Sequence, residues 1–230
     1  MTPDNNPEPV PYTSQFAVLP FLAAVEGILK QRVGDSKLRI TVHRITTWEG
    51  NGYFQQLCTY FGNVPKDQKL VGRMLPVTTG IIGYAFEQKK IARTKQYDTR
   101  DALLADLAID MKKNKETGNP QTTPPSYLAV PFLGIQNEIV LVLYAECAEF
   151  NFFANDAIID TVNSMCHGFC ALYDWLQEKD PFPTIRNYPL RKGNPIKRTP
   201  TVYSHLQETL DWTVPTFRRL ASFNYEASVG

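Results

Sequence analysis

The stretch whose spacing carries the most chemistry is TTGIIGYAFEQKK, residues 78–90. Two glycines beside two threonines raise the question of a phosphate-cradling loop. A Walker-type loop needs a lysine and a hydroxyl residue directly after its last glycine. Here Gly83 is followed by Tyr84 and Ala85. A dinucleotide fingerprint needs a third glycine and a βαβ setting, and both are missing. What the residues support is the start of a helix, with Thr78 or Thr79 as N-cap and glycines where the backbone passes close to something else. Free N–H groups and the helix dipole at that end favour an anion or a carbonyl. Two roles stay open for the segment: close packing, or direct contact with a ligand.

The other reactive residue types form no recognisable set. Cys166, His167 and Cys170 spell CHGFC, whereas a zinc site takes four convergent N or S ligands, usually as two close pairs. Cys166 falls on an apolar helical stripe, so the pair reads as core thiols, with a redox contact across a helix interface as the alternative. Cys58 lies on a strand and Cys147 just after one. His43, His167 and His205 have no nucleophile in a known order, and H-E-x-x-H is absent. The carboxylate pairs Asp98/Asp101 and Asp106/Asp110 have helical spacing and suit a solvated face. No catalytic residue, metal site or cofactor is therefore indicated, and the chain reads as not an enzyme.

Composition narrows the class. The 230 residues are 43% hydrophobic and 20% charged, as in ordinary globular proteins. A net charge of +1 gives no electrostatic footprint for nucleic acid. No apolar run approaches the roughly 20 residues of a membrane span. The start, MTPDNNPEPVPYT, lacks the basic and apolar regions of a signal peptide. A cytoplasmic location follows as the expectation, with free thiols rather than disulfides.

The elements that must position these residues follow from periodicity. Residues 1–13 read as an extended proline-rich arm. A helix begins near Ser14, with a break or kink expected at Pro20, and ends at Gly34-Asp35. Residues 38–61 alternate and contain a Gly50-Asn51-Gly52 turn, which predicts a hairpin. A helix over 80–88, a short strand near 90–94 and a helix over 101–113 follow, the last with Leu103, Leu104, Leu107 and Ala108 on one face. Residues 112–125 read as a loop. In 126–132, Leu128, Val130 and Phe132 alternate with Tyr127, Ala129 and Pro131. EIVLVLYAE is apolar on both sides, as expected of a central strand. Residues 155–177 carry a helical stripe of Ile158, Val162, Cys166, Phe169, Tyr173 and Leu176. Helices flanking antiparallel hairpins make an α+β layer fold.

Three stretches in this order resemble the GAF domain family: GIIGYAFEQKKI (80–91), SYLAVPFLG (126–134) and VLYAECAEFNFFANDAIIDTV. The resemblance covers residues 14–178. It implies a GAF-like antiparallel sheet with helices on both faces, the N- and C-terminal helices packed together and often dimerising. It also implies a ligand pocket on the opposite face, roofed by short helices. Mapped onto this chain, the implied ligand-binding residues are Arg73, Thr78, Thr79, Tyr84, Asp98, Asp101, Ser126, Tyr127 and Tyr144. Alternation alone leaves open which strand face lines the pocket. Members bind cyclic nucleotides, tetrapyrroles, amino acids or other small molecules, or serve as interaction modules. The N-K-x-F-x-x-x-D-E-type signature of cyclic-nucleotide binders is absent. Some members reduce free methionine sulfoxide, but no cysteine occurs between Phe61 and Phe132, where that activity would need one.

Residues 179–230 fall outside the resemblance. They read as a basic, proline-rich linker, a helix over 203–212 and an aromatic-arginine end, suited to docking on the domain or to a protein partner. The expected role is a sensor that takes a small-molecule ligand and signals through a protein partner or its own homodimer; the alternative is a ligand-free dimerisation and interaction scaffold that uses the C-terminal tail.

Overall fold

The computed structural model describes residues 12–33, 38–48, 51–62, 71–113, 119–120, 124–179, 203–209 and 211–219. The arm up to residue 11 and the linker over 180–201 lie outside these residues, as does most of the expected loop at 112–125. Among these residues, four α-helices and eight strands run in the order α1 (Tyr12–Val33), β1 (Leu38–Trp48), β2 (Asn51–Gln56), β3 (Phe61–Gly62), β4 (Met74–Pro76), α2 (Gly80–Gln88), β5 (Ala92–Thr94), α3 (Arg100–Lys113), β6 (Ser126–Leu133), β7 (Ile139–Cys147), α4 (Asp156–Lys179) and β8 (Leu206–Glu208), with a 3-10 turn at Phe152–Ala154 before α4. The strands form one antiparallel sheet ordered β4-β2-β1-β7-β6-β5-β8, with β3 also on β1. The class is α+β, as expected.

β7 occupies the centre, between β1 and β6, and all its residues except Tyr144 are buried. A strand covered on both faces must be apolar on both faces, which explains its sequence. The pleat then sorts the neighbouring strands. Leu38, Ile40 and Val42 of β1 and Leu128, Val130 and Phe132 of β6 point to one side, where they meet α1 and α4. The two long helices touch there through stacked Phe21 and Phe169 rings, 4.6 Å apart. A second, smaller core on the other side gathers Phe54, Ala129 and Val142 beneath Ile81, Ile82, Ala85 and Phe86 of α2.

Three sequence expectations need correcting. α1 continues through Pro20. Proline removes one helical hydrogen bond and strains the preceding turn, but Val18, Phe21, Leu22 and Val25 on either side of it are buried against the sheet, and that packing holds the helix. On α3 the buried positions are Leu103, Leu107 and Asp110, while Ala108 is exposed. Within the expected helix over 203–212, residues Leu206–Glu208 instead form strand β8, pairing with β5 from Ala92↔Glu208 to Thr94↔Leu206. An open sheet edge offered more hydrogen bonds to this segment than a short isolated helix could make.

The described part of the tail docks firmly. Thr209 N–H donates to the Ile91 carbonyl at 2.9 Å, and a parallel bridge joins Leu133 to Thr216. Phe217 is fully buried and stacks on Phe132 at 5.9 Å. Arg93 places its guanidinium 5.5 Å from the Trp212 ring centre and pairs with Asp156 at 2.7 Å.

Candidate functional site

On the α2 side, the sheet surface and the short helices leave a cavity of about 380 Å³, at the small end of the range for ligand pockets. Its floor is built by strand register. Arg39 of β1 sits opposite Glu146 of β7, which sits opposite Tyr127 of β6. Three side chains from three strands thus stand in one row on one face. Tyr144, two residues along β7 from that row, and His43, four residues along β1 from it, point the same way. The roof is the N-terminal turn of α2, Thr79 to Ile82, with Leu107, Asp110 and Met111 of α3. Tyr60, Arg73 and Leu75 form one side, and Tyr203 and His205 from the tail close the other.

The TTGIIG segment has a distinct task for each glycine. Gly80 has φ +55°, a left-handed conformation that favours glycine. A Cβ on Gly83 would fall 2.7 Å from the Thr78 carbonyl carbon and 2.8 Å from the Val77 carbonyl oxygen. Gly83 therefore lets the chain before the helix fold back onto it. Thr79 occupies the N-cap position but makes no side-chain cap hydrogen bond, contrary to the capping expected from sequence.

The electrostatics are strongly paired on the floor. Arg39 donates to one Glu146 oxygen through Nε at 2.5 Å and also through Nη2, and Tyr144 donates its hydroxyl to the other oxygen. Burial lowers the Arg39 pKa, but the Glu146 charge and hydrogen bonds outweigh it and leave a net rise. Burial, reinforced by the Glu146 charge, holds the Tyr144 phenol well above its ordinary value and Tyr60 at about 12. Asp110 accepts both the backbone N–H of His205 at 2.9 Å and its ring Nδ1 at 2.7 Å. Burial alone would raise the Asp110 carboxyl; the bonds from Ser204 and His205 outweigh it and bring the pKa down.

His43 is different. It is 1% exposed, and neither ring nitrogen has a hydrogen-bond partner among the described residues. The ring meets Phe54 and Tyr144 edge-on, with centres 6.4 and 6.3 Å away. Burial first, and the nearby Arg73 charge second, push its pKa down to about 3, so the imidazole is neutral at physiological pH.

Of the residues implied by sequence, Arg73, Thr79, Tyr127 and Tyr144 come together on the cavity. Thr78 backs onto Gly83 instead. Tyr84 lies further along α2, its hydroxyl 3.4 Å from Glu208. Asp98 and Asp101 are exposed and outside the cavity wall. Ser126 is buried, and its Oγ accepts the Phe153 N–H at 2.9 Å, a structural role. Sequence reasoning missed Arg39, His43, Tyr60, Asp110, Glu146, Tyr203 and His205. The polar alternation Arg39-Thr41-His43 on β1 was a usable signal for two of them.

The thiols sit elsewhere. All four cysteines are free and buried in the core beneath α1 and α4. Burial raises the thiol of Cys166 well above its ordinary value, and that of Cys147 to about 11. Among the described residues, no cluster of three or more His, Cys, Asp or Glu could hold a metal, and no helix is long and apolar enough to cross a membrane.

The fold is GAF-like. No protein-family profile and no curated protein sequence matches the chain. Solved structures similar to it include the type II free methionine-R-sulfoxide reductase from Thermoplasma acidophilum, at 13% identity over 66% of this chain and 91% of that one, with a TM-score of 0.41. They also include fRMsr of Staphylococcus aureus in complex with substrate, at 12% identity over 72% and 99%, TM-score 0.42. A third is the GAF domain/HD domain protein from Geobacter sulfurreducens, at 13% identity over 74% and 99%, TM-score 0.42. The sequence expectation that the chain is not an enzyme needs correcting as an exclusion, since solved structures similar to it include free methionine-R-sulfoxide reductases. At such identities the likeness concerns fold alone.

Proposed function

We propose that this protein is a GAF-like regulatory domain that binds a small organic molecule in the cavity and reports occupancy through its C-terminal segment. One observation carries the reading: the cavity wall is shared between the sheet and the tail, with Tyr203 and His205 closing one side and Asp110 holding His205 in place. A ligand touching both parts binds the docked arrangement better than the undocked one, and such differential affinity is what couples a site to an output. Residues 14–178 then form the binding unit, and the docked part of the tail is its responsive element. Arg73, Thr79, Tyr127 and Tyr144 are the ligand contacts anticipated from sequence. The free thiols fit a cytoplasmic protein.

Native mass spectrometry of the purified protein, followed by a thermal-shift screen of nucleotides, amino acids and tetrapyrroles, tests this. A retained molecule or a stabilising compound is expected. Its effect should vanish in Thr79→Ala/Tyr144→Ala, and it should slow proteolysis around residues 203–219. Neither a bound species nor any shift would remove the reading.

A second surface favours a protein partner or self-association. Leu172 and Trp175 on α4 are each 54% exposed, and Ile28 on α1 is 37% exposed. Leu172→Ser/Trp175→Ser should convert a homodimer to monomer in sedimentation velocity. A wild-type protein that sediments as a monomer at all concentrations would exclude self-association.

A further inference from the structure

The outward side chains of β1 on the cavity side differ in how they are satisfied. Arg39 is bound to Glu146, and Thr41 donates to the Cys58 carbonyl at 3.1 Å. His43, fully covered, has no partner at either nitrogen. Buried polar groups are nearly always hydrogen-bonded, and an exception needs a reason. The cavity that His43 lines supplies one, since a bound molecule would provide the missing partner.

The chemistry of that partner can be narrowed. A neutral imidazole offers one donor and one acceptor. An anionic group offers acceptors only, and its best complement, an imidazolium, is opposed by burial of the ring. A cationic group offers donors only and would meet the charge of Arg73, while Glu146 is already engaged by Arg39 and Tyr144. An uncharged group carrying both N–H and C=O, or a neutral ring nitrogen beside a donor, answers whichever imidazole nitrogen it meets, in either tautomer, without either conflict. The surrounding wall contains Tyr60, Tyr127 and Tyr144, whose ring centres are spaced 6.3–6.4 Å apart around Tyr144. Such a wall suits a flat molecule.

We propose that the cavity takes a small, flat, uncharged amide, lactam or nitrogen heterocycle, and that His43 is the residue selecting its donor–acceptor edge. This rests on the small-molecule reading above and assigns the ligand class within it.

Three probes of matched shape test the assignment: benzamide, benzoate and benzamidinium. They share one ring and differ in presenting a neutral donor–acceptor pair, acceptors only, or donors only. Affinities are read by amide chemical-shift changes in the full-length protein at pH 7.5. Benzamide should bind about tenfold tighter or more than either charged probe, the scale of one buried hydrogen bond gained or left unmade. His43→Phe keeps a ring of similar shape without nitrogens and should erase that preference. His43→Gln presents an amide and should restore part of it. Equal or better binding of benzoate or benzamidinium overturns the assignment, as does a preference unchanged in His43→Phe, or no binding by any of the three. In those cases a different molecule retained in native mass spectrometry leaves the small-molecule reading standing. If a variant fails to fold, the wild-type ranking of the probes decides alone.

Discussion

Replacing His43 by Phe should stabilise the protein, and more so in acid. The imidazole is buried with two unsatisfied nitrogens. Leaving a buried polar group unmade costs about 1–3 kcal/mol, which Phe does not incur, and the adjoining 380 Å³ cavity gives the larger ring room. The pH dependence has a definite sign. In the unfolded chain the imidazole binds a proton near pH 6.5, whereas in the folded chain burial defers this to about pH 3. The unfolded state therefore gains protons first, and folded stability falls as pH drops below about 6.5, the loss being complete below about 3. Between pH 7.5 and 5.0 the wild type should lose about 2 kcal/mol through this residue, and His43→Phe should not. Urea unfolding followed by fluorescence of the three tryptophans at both pH values measures it. His43→Leu serves as a control for ring size. A wild type as stable as both variants at pH 7.5, or a gap that does not widen at pH 5.0, would refute the reasoning.

Other perturbations follow from the same contacts. Asp110→Asn removes the charge that holds His205 and Ser204. It should cost about 3 kcal/mol and speed proteolysis around β8 before the rest of the domain; unchanged cleavage there would show that Asp110 does not hold the tail. Because the Asp110 carboxyl is held below its ordinary range, its contribution is present above the unfolded pKa and is lost as pH falls through the folded one. Asp110→Asn should accordingly flatten the acid limb of the stability profile. Gly83→Ala sets a methyl group against backbone atoms at 2.7 and 2.8 Å and should destabilise by about 2 kcal/mol or more. Gly80→Ala meets open space and should cost about 1 kcal/mol from its positive φ alone. The reverse ranking in thermal unfolding would contradict the packing described.

The parts of the fold legible in sequence are those governed by local period. Alternation in β6 assigned Leu128, Val130 and Phe132 to one face, and they meet α1 and α4 as one set. The doubly apolar β7 read as central, and it is. The parts that stayed hidden depend on distant pairing. Arg39 and Glu146 are 107 residues apart, and only the register of β1 against β7 makes them neighbours. His205 and Asp110, 95 apart, meet because β8 extends the sheet beyond β5, which residues 203–212 alone do not announce. Pro20 misled because a local penalty was weighed without the sheet beneath it. Asp98 and Asp101 were assigned to the cavity by family layout, yet they precede the buried face of α3 and stay in solvent.

β8 has a further effect besides lending His205 to the cavity. β5 has β6 on one side, and its other side carries a row of N–H and C=O groups that β8 engages. Uncovered edges of this kind invite pairing between molecules. The opposite margin of the sheet is protected by brevity, since β4 has three residues and ends at Pro76. β8 takes up that row and leaves at this end, as at the other, a margin only three residues long. Any undocking of β8 would uncover the longer β5–β6 side of the sheet to pairing between molecules.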